Sequence, residues 1–441
     1  MPSLSAILLL LLGLTIARAD QPNIVVIVSD NQGWMDIGYH GSKIRTPNLD
    51  RLAEEGIRLN RFYVYPMCSP TRAAFISGRA PSRYGILGAI GMRSRQILPP
   101  ETVTVADTLK SAGYDTAITG KWHLGLRPEI GPRNYGFDYT YGFLHGQIDK
   151  YTHRYKNGDA SWHRHDRLID EEGHSVDLIT NEAIRFIKRG RQQPFFLYVP
   201  FGAPHPPLQE EQRWVKPYEG VIESKSRRLY AASVTHMDSA IGRIVDALAS
   251  TRQRKNTLLI YFSDNGAIPS WRKQPQHYEG KFPEYPVLGS NGDLRGWIGE
   301  LYDGCVRTPA LVNWPGVLKP AVLDDVTSAL DLHPTLATVA NGKTSPDMKL
   351  EGRNIWPALK DGKPLKPATL YWKYHNSRKT AVLNGGWKLH HDHRNDAYEL
   401  YNMRSDPNES SNLAEASPSQ LKRLRKLLHQ QKALDGARTE R

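Results

Sequence analysis

Cys68-Ser69-Pro70-Thr71-Arg72 sets a sulfur, a proline and a guanidinium within a few residues of one another. Pro70 suits the first turn of a helix, so Cys68 is expected just outside that helix's N-terminus, where free backbone N–H groups and the dipole favour an anion. Arg72 then falls in the first turn, close to the same point. A nucleophile precursor, a fixed cation and oriented donors converge there. The motif alone fits a small buried cysteine ahead of an ordinary helix equally well. Other groups break the tie: Asp30-Asn31, Lys121 with His123, His205, and Asp264-Asn265 each follow a stretch that reads as a buried strand. In open α/β sheets the carboxyl ends of the strands share one edge, and ligands bind there. Any one of these stretches is ordinary turn chemistry; together they deliver groups to one site. Asp30, Asn31, Asp264 and Asn265 offer oxygen ligands only, which suits a hard divalent cation such as calcium rather than zinc. Such an ion polarises an anionic ester and makes a neighbouring nucleophile more acidic. Lys121, His123 and His205 would surround the remaining oxygens, and one histidine could protonate a leaving oxygen.

The elements that must position these groups alternate. Asn23 to Ser29 is a continuous β-branched run, as expected of a strand buried on both faces of a parallel sheet. Thr46-Pro47 supplies an N-cap and first-turn proline for a helix through Leu49, Leu52 and Ala53, and Ile57 to Tyr65 reads as a strand leading to Cys68. A capped helix from Thr104 to Ala112 precedes the strand Asp115 to Thr119, which runs into Gly120-Lys121-Trp122-His123. Arg127 to His174 shows little periodicity and reads as long loops over the domain face, with His153, His163, His165 and His174 as surface or rim histidines, since their spacing fits no metal-ligand pattern. Val176 to Ile187 is an amphipathic helix, Pro194 to Val199 a buried strand, Ser226 to Ala249 a long helix, and Thr257 to Ser263 the strand before Asp264. Ala310 to Asn313 precedes a helix at Asp331 to Leu336. Alternation of this kind predicts a mostly parallel sheet flanked by helices. Beyond about Leu350 the character changes to short strands at Thr369 to Lys373, Thr380 to Leu383, Trp387 to His391 and Tyr398 to Tyr401, an antiparallel set closed by a basic amphipathic helix through Leu421, Leu424, Leu427 and Leu428.

With 441 residues the chain buries a sizeable core. Ser5 to Ala17 form an apolar stretch and Ala17-Arg18-Ala19 a small-x-small cleavage site, which reads as a secretory signal without a basic n-region. No later segment has the roughly 18 apolar residues of a membrane span, so a soluble, secreted or periplasmic protein is expected. Cys68 and Cys305 are the two cysteines, too few for a disulfide framework. A bond between them would consume the motif cysteine. The net charge of +13 suits a polyanionic partner or serves solubility; with a secretory signal the expected polyanion is extracellular or periplasmic, such as a sulfated polysaccharide, rather than nucleic acid.

The chain resembles the type I sulfatases along the whole mature sequence. Cys68-Ser69-Pro70-Thr71-Arg72, Asp30-Asn31 with Gly33, Gly120-Lys121-Trp122-His123-Leu124-Gly125, Ala203-Pro204-His205 and Ser263-Asp264-Asn265-Gly266 are similar to the blocks of that family, and Trp387-Lys388-Leu389 through Asp406-Pro407-Asn408-Glu409 to its closing subdomain. The resemblance implies an alkaline phosphatase-like α/β fold: a large mixed, mostly parallel sheet sandwiched by helices, then a smaller C-terminal subdomain with a short antiparallel sheet and a terminal helix. The expected division is 1–19 signal peptide, 20–348 catalytic domain and 349–441 C-terminal subdomain. It implies that a maturation enzyme oxidises Cys68 to formylglycine, whose hydrate attacks sulfur with one hydroxyl and expels sulfate through the other. Arg72 would anchor that side chain; Lys121, His123 and His205 would bind sulfate or move protons, His123 at the nucleophile and His205 at the leaving group; Asp30, Asn31, Cys68, Asp264 and Asn265 would hold one Ca2+.

Two departures stand out. Asn31 occupies a position where the family usually has a second aspartate, and Ile298 one where a lysine usually contacts sulfate; Arg295 or Arg93 could compensate. Cys305 replaces a usual glycine and reads as a small buried residue. Asp36 to Gly41, Gly146 to His153 and His205 to Gln209 look most like the N-acetylgalactosamine-4-sulfatase branch, which adds Arg93, His145, His153 and Arg295 as candidate substrate contacts and 4-O-sulfated galactose or N-acetylgalactosamine units, as in carrageenan or chondroitin and dermatan, as substrates. A phosphate or phosphonate ester hydrolase of the same fold and an inactive polyanion-binding relative are the competing readings.

Overall fold

Three largely apolar runs and two more polar ones form the central strands: Thr257–Ser263, Asn23–Ser29, Phe195–Pro200, Asp115–Lys121 and Tyr139–Phe143 lie side by side in that order and run parallel. In the computed structural model, which describes residues 21–91, 94, 96–374 and 378–435, they are the middle of a ten-stranded sheet. Beyond Thr257–Ser263 the sheet continues through Ala310–Asn313, which is antiparallel to it, then Ile57–Leu59 and Ala321–Leu323. Beyond Tyr139–Phe143 it ends in the antiparallel pair Trp162–Arg164 and Arg167–Leu168. The expected signal segment and Arg93 lie outside the described residues.

Successive side chains of a strand face opposite ways, and both faces are covered. Ile24, Val26 and Val28 pack with Phe75, Leu109, Leu332 and Leu336 from the helices Cys68–Ser77, Val105–Ser111 and Ala329–Val339. Val25 and Ile27 pack with Leu49, Ile179, Ile241 and Ile244 from Pro47–Glu54, Ser175–Ile187 and Lys225–Ser250. Burying both faces explains why the strand sequences show no alternation.

Three expectations are corrected. The stretch from Ile57 to Tyr65 is two strands in different sheets, because Phe62–Tyr63 leaves the large sheet to pair with Thr327–Ser328. The region from Arg127 to His174 contains three sheet strands; its Tyr- and Gly-rich run Tyr139–Phe143 is wholly buried and so shows no period. Thr46 does not cap the backbone of the helix it precedes: its hydroxyl donates to Asp50 Oδ1, 3.0 Å away, and Asp238 of the long helix instead accepts from the N–H groups of Asn48 and Leu49.

The C-terminal sheet has the order Thr369–Tyr374, Lys379–Asn384, Trp387–Asp392, Ala397–Asn402. Leu424 and Leu428 of the helix Pro418–Lys432 pack on Val382, Leu389 and Leu400, while Trp372 and Leu383 on the other face meet Tyr63, Ala74 and Val306. A buried ion cluster joins this sheet to the main body. Lys388 Nζ lies 2.8 Å from Asp303 Oδ1 and 3.2 Å from Glu409 Oε1, Glu409 Oε2 accepts from the Asp303 N–H at 2.6 Å, and the Tyr63 hydroxyl donates to Asp303 Oδ2. Among the described residues Lys388→Met leaves Asp303 with only Arg307 at 4.0 Å and Glu409 with only His390 at 2.7 Å, so unfolding free energy should drop by about 3–5 kcal/mol, measured by chemical denaturation; a change under about 1 kcal/mol would deny the cluster a structural role.

Candidate active site

Register brings the chemistry together. Ser29 pairs with Ser263, so Asp30 and Asp264 leave neighbouring parallel strands side by side. Lys121 ends its strand opposite Phe143, and the turn after Pro200 returns over the same edge, where the Ala203 carbonyl accepts from the Asp30 N–H at 2.9 Å. Lys121 Nζ lies 2.6 Å from Asp30 Oδ2, both side chains fully buried. Arg72 donates from Nε and Nη2 to Asp264 Oδ2 at 3.1 and 2.8 Å, and from Nη1 to the Lys121 carbonyl at 2.9 Å. One guanidinium thus clamps two strand ends. Cys68 is the first helical residue rather than the one before it, so Arg72 opens the second turn.

Cys68 is buried and free, as is Cys305, whose sulfur contacts the Pro66 carbonyl. Burial pushes the Cys68 thiol up to about 11; Lys121 pulls it down, and Asp30 and Asp264 oppose that pull. As a plain thiol it would be protonated at neutral pH, which is poor nucleophile chemistry. Its neighbourhood is built nonetheless. Ser69 Oγ donates to the His123 carbonyl at 2.9 Å and accepts from the Ile90 N–H at 3.1 Å. His123 Nε2 faces the Ile90 carbonyl at 3.0 Å, which places the proton there and leaves Nδ1 bare, buried and without a partner. Burial, with Lys121 and Arg72 adding to it, holds His123 well below the usual histidine range. Gly146 makes room for that ring: a Cβ there would lie 2.5 Å from His123 Cε1.

His205 is partly buried, its Nδ1 2.6 Å from the Pro206 carbonyl, so Nε2 is the free nitrogen. Burial lowers it to about 4, although Asp30 favours its protonation. His145 hydrogen-bonds Ser161 Oγ through Nδ1 at 2.9 Å and stacks on Tyr155 at 4.5 Å. Tyr155 lines a surface cavity of about 290 Å³ together with Arg154, Lys156, Tyr278 and Lys281.

A cation fits the oxygen set. Asp30 Oδ1 and Asn265 Oδ1 are buried without any hydrogen-bond partner, and such atoms are costly unless something positive completes them. Burial alone would raise Asp30, but Lys121, His205 and Arg72 outweigh it and hold the carboxyl below its usual range, ready to bind metal. Asn31 sits at φ 66°, a left-handed conformation that asparagine tolerates; its Oδ1 accepts from Asn265 Nδ2 at 2.6 Å and its N–H donates to Asp264 Oδ1 at 3.3 Å.

Two expected substrate contacts are turned to other work. Arg295 is held by the C-terminal subdomain, donating from Nη1 to Tyr401 Oη and the Glu409 carbonyl, each at 2.9 Å, and from Nη2 to Tyr302 Oη at 3.1 Å. His153 is buried, stacked on Trp162 and bonded through Nε2 to the Gly173 carbonyl at 3.0 Å. Nor are His163 and His174 surface or rim histidines: both are buried, and His174 accepts from the Val176 N–H at the start of a helix. His174, Asp177 and His236 do cluster closely enough to hold a metal ion. Yet His236 lies 2.8 Å from Glu210 and 3.4 Å from Asp177, and although burial opposes its charge these carboxylates raise it to about 9, so an imidazolium bridging them accounts for the group.

Sequence reasoning missed the groups that aim the loop carrying Asp30 and Asn31. Asp36 is fully buried and accepts from Gly33 N and Ser290 N on Oδ2 and from Arg227 Nη2 on Oδ1, while the Tyr230 hydroxyl reaches both Asp36 Oδ2 and the Asn31 carbonyl. Behind the second loop, Gly266 donates to the Cys305 carbonyl at 2.7 Å, and a Cβ at 266 would fall 1.9 Å from the Gly304 oxygen. Asp303, the residue before Gly304, is the one the C-terminal ion cluster grips.

A mostly parallel α/β sheet whose carboxyl edge gathers a motif cysteine, an oxygen-only cation site and basic side chains defines a class of anionic-ester hydrolases. The chain belongs to the sulfatase family: the Sulfatase model matches residues 22–342, and the model described as N-sulphoglucosamine sulphohydrolase, C-terminal, matches 296–435. Arylsulfatase J of Mus musculus is 34% identical over 363 residues, covering 78% of this chain and 57% of that protein. Human N-acetylgalactosamine-6-sulfatase is 32% identical, covering 84% of this chain and 71% of its own length. Among solved structures, Ps i-CgsB in complex with k-i-k-neocarrahexaose superposes with a TM-score of 0.85 at 28% identity, covering 96% of this chain and 95% of that one. The chain thus spans little more than half of arylsulfatase J. Among the described residues no helix is long and apolar enough to cross a membrane.

Proposed function

We propose that this protein is a secreted or periplasmic sulfatase that removes O-sulfate from a sulfated polysaccharide or its oligosaccharides, after conversion of Cys68 to formylglycine by a maturation enzyme. The single observation that carries the reading is the meeting of Cys68 with two clamped carboxylates, each paired to a buried cation, beside unpartnered buried oxygens. Calcium, held by Asp30, Asn31, Asp264, Asn265 and residue 68, would supply Lewis-acid polarisation of a sulfate oxygen. Formylglycine, once hydrated, would supply a hydroxyl nucleophile. The remaining work belongs to this chain's own residues. Lys121 offers ammonium protons to the anion, Arg72 holds the strand ends in place, and the bare Nδ1 of His123 accepts a proton from a group at position 68. His205 protonates the leaving oxygen from Nε2 after gaining a proton; Asp30 and the arriving ester charge both favour that gain.

The cavity beside Tyr155 sets Arg154, Lys156 and Lys281 against Asp149 and Glu279, a small cationic excess toward an anionic glycan, and the net charge of +13 adds steering. The similarity to a protein solved with a neocarrahexaose supports a galactose-containing substrate, with 4-O-sulfate on galactose or N-acetylgalactosamine as the specific reading and 6-O-sulfate, from the relatives named 6-sulfatase, as its rival. Neither a nucleic acid nor a membrane is a partner in this reading. A screen of matured, calcium-loaded protein against position-defined carrageenan, chondroitin, dermatan and heparan oligosaccharides should give sulfate release concentrated on 4-O-sulfated galacto units. Release from 6-O-sulfated units alone would replace the position, and hydrolysis of phosphodiesters with no sulfate release would replace the function.

A further inference from the structure

Lys150 is a buried lysine that none of the roles above uses. Its residue is 2% exposed, and among the described residues its ammonium makes one hydrogen bond, to the Gly202 carbonyl at 3.0 Å. Gly202 directly precedes Ala203, whose carbonyl receives the Asp30 N–H, so Nζ is anchored on the turn between Pro200 and His205 that Asp30 also grips. Asp30 and Glu210 favour the charged form of Lys150 and Lys121 opposes it, while Lys150 disfavours the charged form of His205. The backbone is pinned as well: the Lys150 N–H donates to Gln209 Oε1 at 2.6 Å and its carbonyl accepts from Ser175 N at 2.8 Å.

Every carboxylate near enough to matter already holds another cation. Asp30 has Lys121 at 2.6 Å, Glu210 has His236 at 2.8 Å, and Asp149 has Lys281 at 3.1 Å. None lies within 4.0 Å of Lys150 Nζ, which forms no ion pair among the described residues. A lysine taken out of water without a counter-ion is expensive unless something anionic arrives to complete it, and burial does pull this one down to about 8. Arg72 and Lys121 already pair with the two carboxylates Asp264 and Asp30, so the unpaired Lys150 ammonium leaves positive charge in excess before any metal ion binds. On the other wall Ile298, tied to the Ala267 carbonyl at 3.1 Å, has no charge to contribute.

We propose that Lys150 is an anion-binding residue of this site, whose free ammonium protons contact an oxygen of the sulfate group from the His205 side. The inference deepens the sulfatase reading and rests on it for the identity of the anion, but not for the presence of an anion site. It is tested with the full-length, matured, calcium-loaded protein and Lys150→Gln, which keeps a donor for Gly202 and removes only the charge; Lys150→Met is the second variant. Inorganic sulfate is titrated calorimetrically, and sulfate release is followed on the best oligosaccharide.

The expected result is sulfate affinity weakened at least tenfold and kcat/KM lowered by about 10²-fold, with an unfolding midpoint close to that of the parent. Unchanged sulfate affinity in the glutamine variant overturns the proposal and leaves the sulfatase reading standing. Failure of both variants to fold overturns it too, since the ammonium would then serve the fold. Should the parent bind sulfate yet release none from any ester, the hydrolase reading fails alone, and the calorimetric difference between parent and variant still decides the role of Lys150.

Discussion

Cys68→Ala should reduce sulfate release by on the order of 10⁴-fold or more while leaving the protein folded and able to bind its glycan. The site explains the separation. Cys68 begins a helix whose residues are all buried, and its sulfur takes no part in either buried ion pair. Alanine removes one heavy atom from a small residue, a change costing about 1 kcal/mol in a packed setting. Lys121, His123, His205 and the oxygen cluster all stay in place, so the anion still finds its cations. What disappears is the only side chain in the cluster that oxidation can convert into a hydrated aldehyde. Turnover by the alanine variant within tenfold of the parent would remove residue 68 from the chemistry and leave the thiol as filler before a helix. Retained binding, followed by affinity electrophoresis on sulfated polysaccharide, separates loss of reaction from loss of structure.

Asp264→Asn should have the second largest effect, because it strikes stability and chemistry together. Burial and the nearby charge of Asp30 push the Asp264 carboxyl up to about 6, and Arg72 pulls against them. The carboxylate is thus retained in a costly place by the guanidinium on Oδ2. The amide keeps the shape but leaves Arg72, 1% exposed, without its counter-charge. Breaking a buried pair in this way costs about 3–5 kcal/mol, so the thermal midpoint should fall by several degrees. The cation site also loses one of its two formal charges, Asn31 having already replaced an acid with an amide. Sulfate release should drop on the order of 10³-fold, and calcium added after chelation should restore the parent but not the variant at the same concentration. A variant that recovers fully with calcium would show that Asp264 serves Arg72 rather than the metal.

The placement of Asp30 and Asp264 was legible in the sequence because each follows a strand whose composition is unambiguous. Asn23–Ser29 and Thr257–Ser263 have no polar interruption and are placed to the residue, so the side-by-side exit of Asp30 and Asp264 follows from their alignment. What stayed hidden depends on tertiary contact. Tyr139–Phe143 is a strand of aromatics, Thr and Gly whose burial comes from neighbours far along the chain. Thr46 has the composition of a helix cap, but Asp238, distant in sequence, takes the backbone donors it would have served. Arg295 is a free cation on paper and a bracket for the C-terminal subdomain in space. Lys150 stands in a Gly-, Tyr- and His-rich stretch with no motif of its own, and only the turn at Gly202 brings its ammonium to the catalytic edge. Fold class depends on pattern, whereas the reach of one long side chain depends on every loop around it.

The most direct test of the account is the mass of the tryptic peptide containing residue 68, taken from protein secreted by a cell that carries the maturation enzyme and that shows sulfate release in the same preparation. Formylglycine makes that peptide about 18 Da lighter than the cysteine form, and its occupancy should rise in proportion to specific activity from one preparation to the next. Full sulfate release from protein in which residue 68 is entirely unmodified cysteine would contradict it.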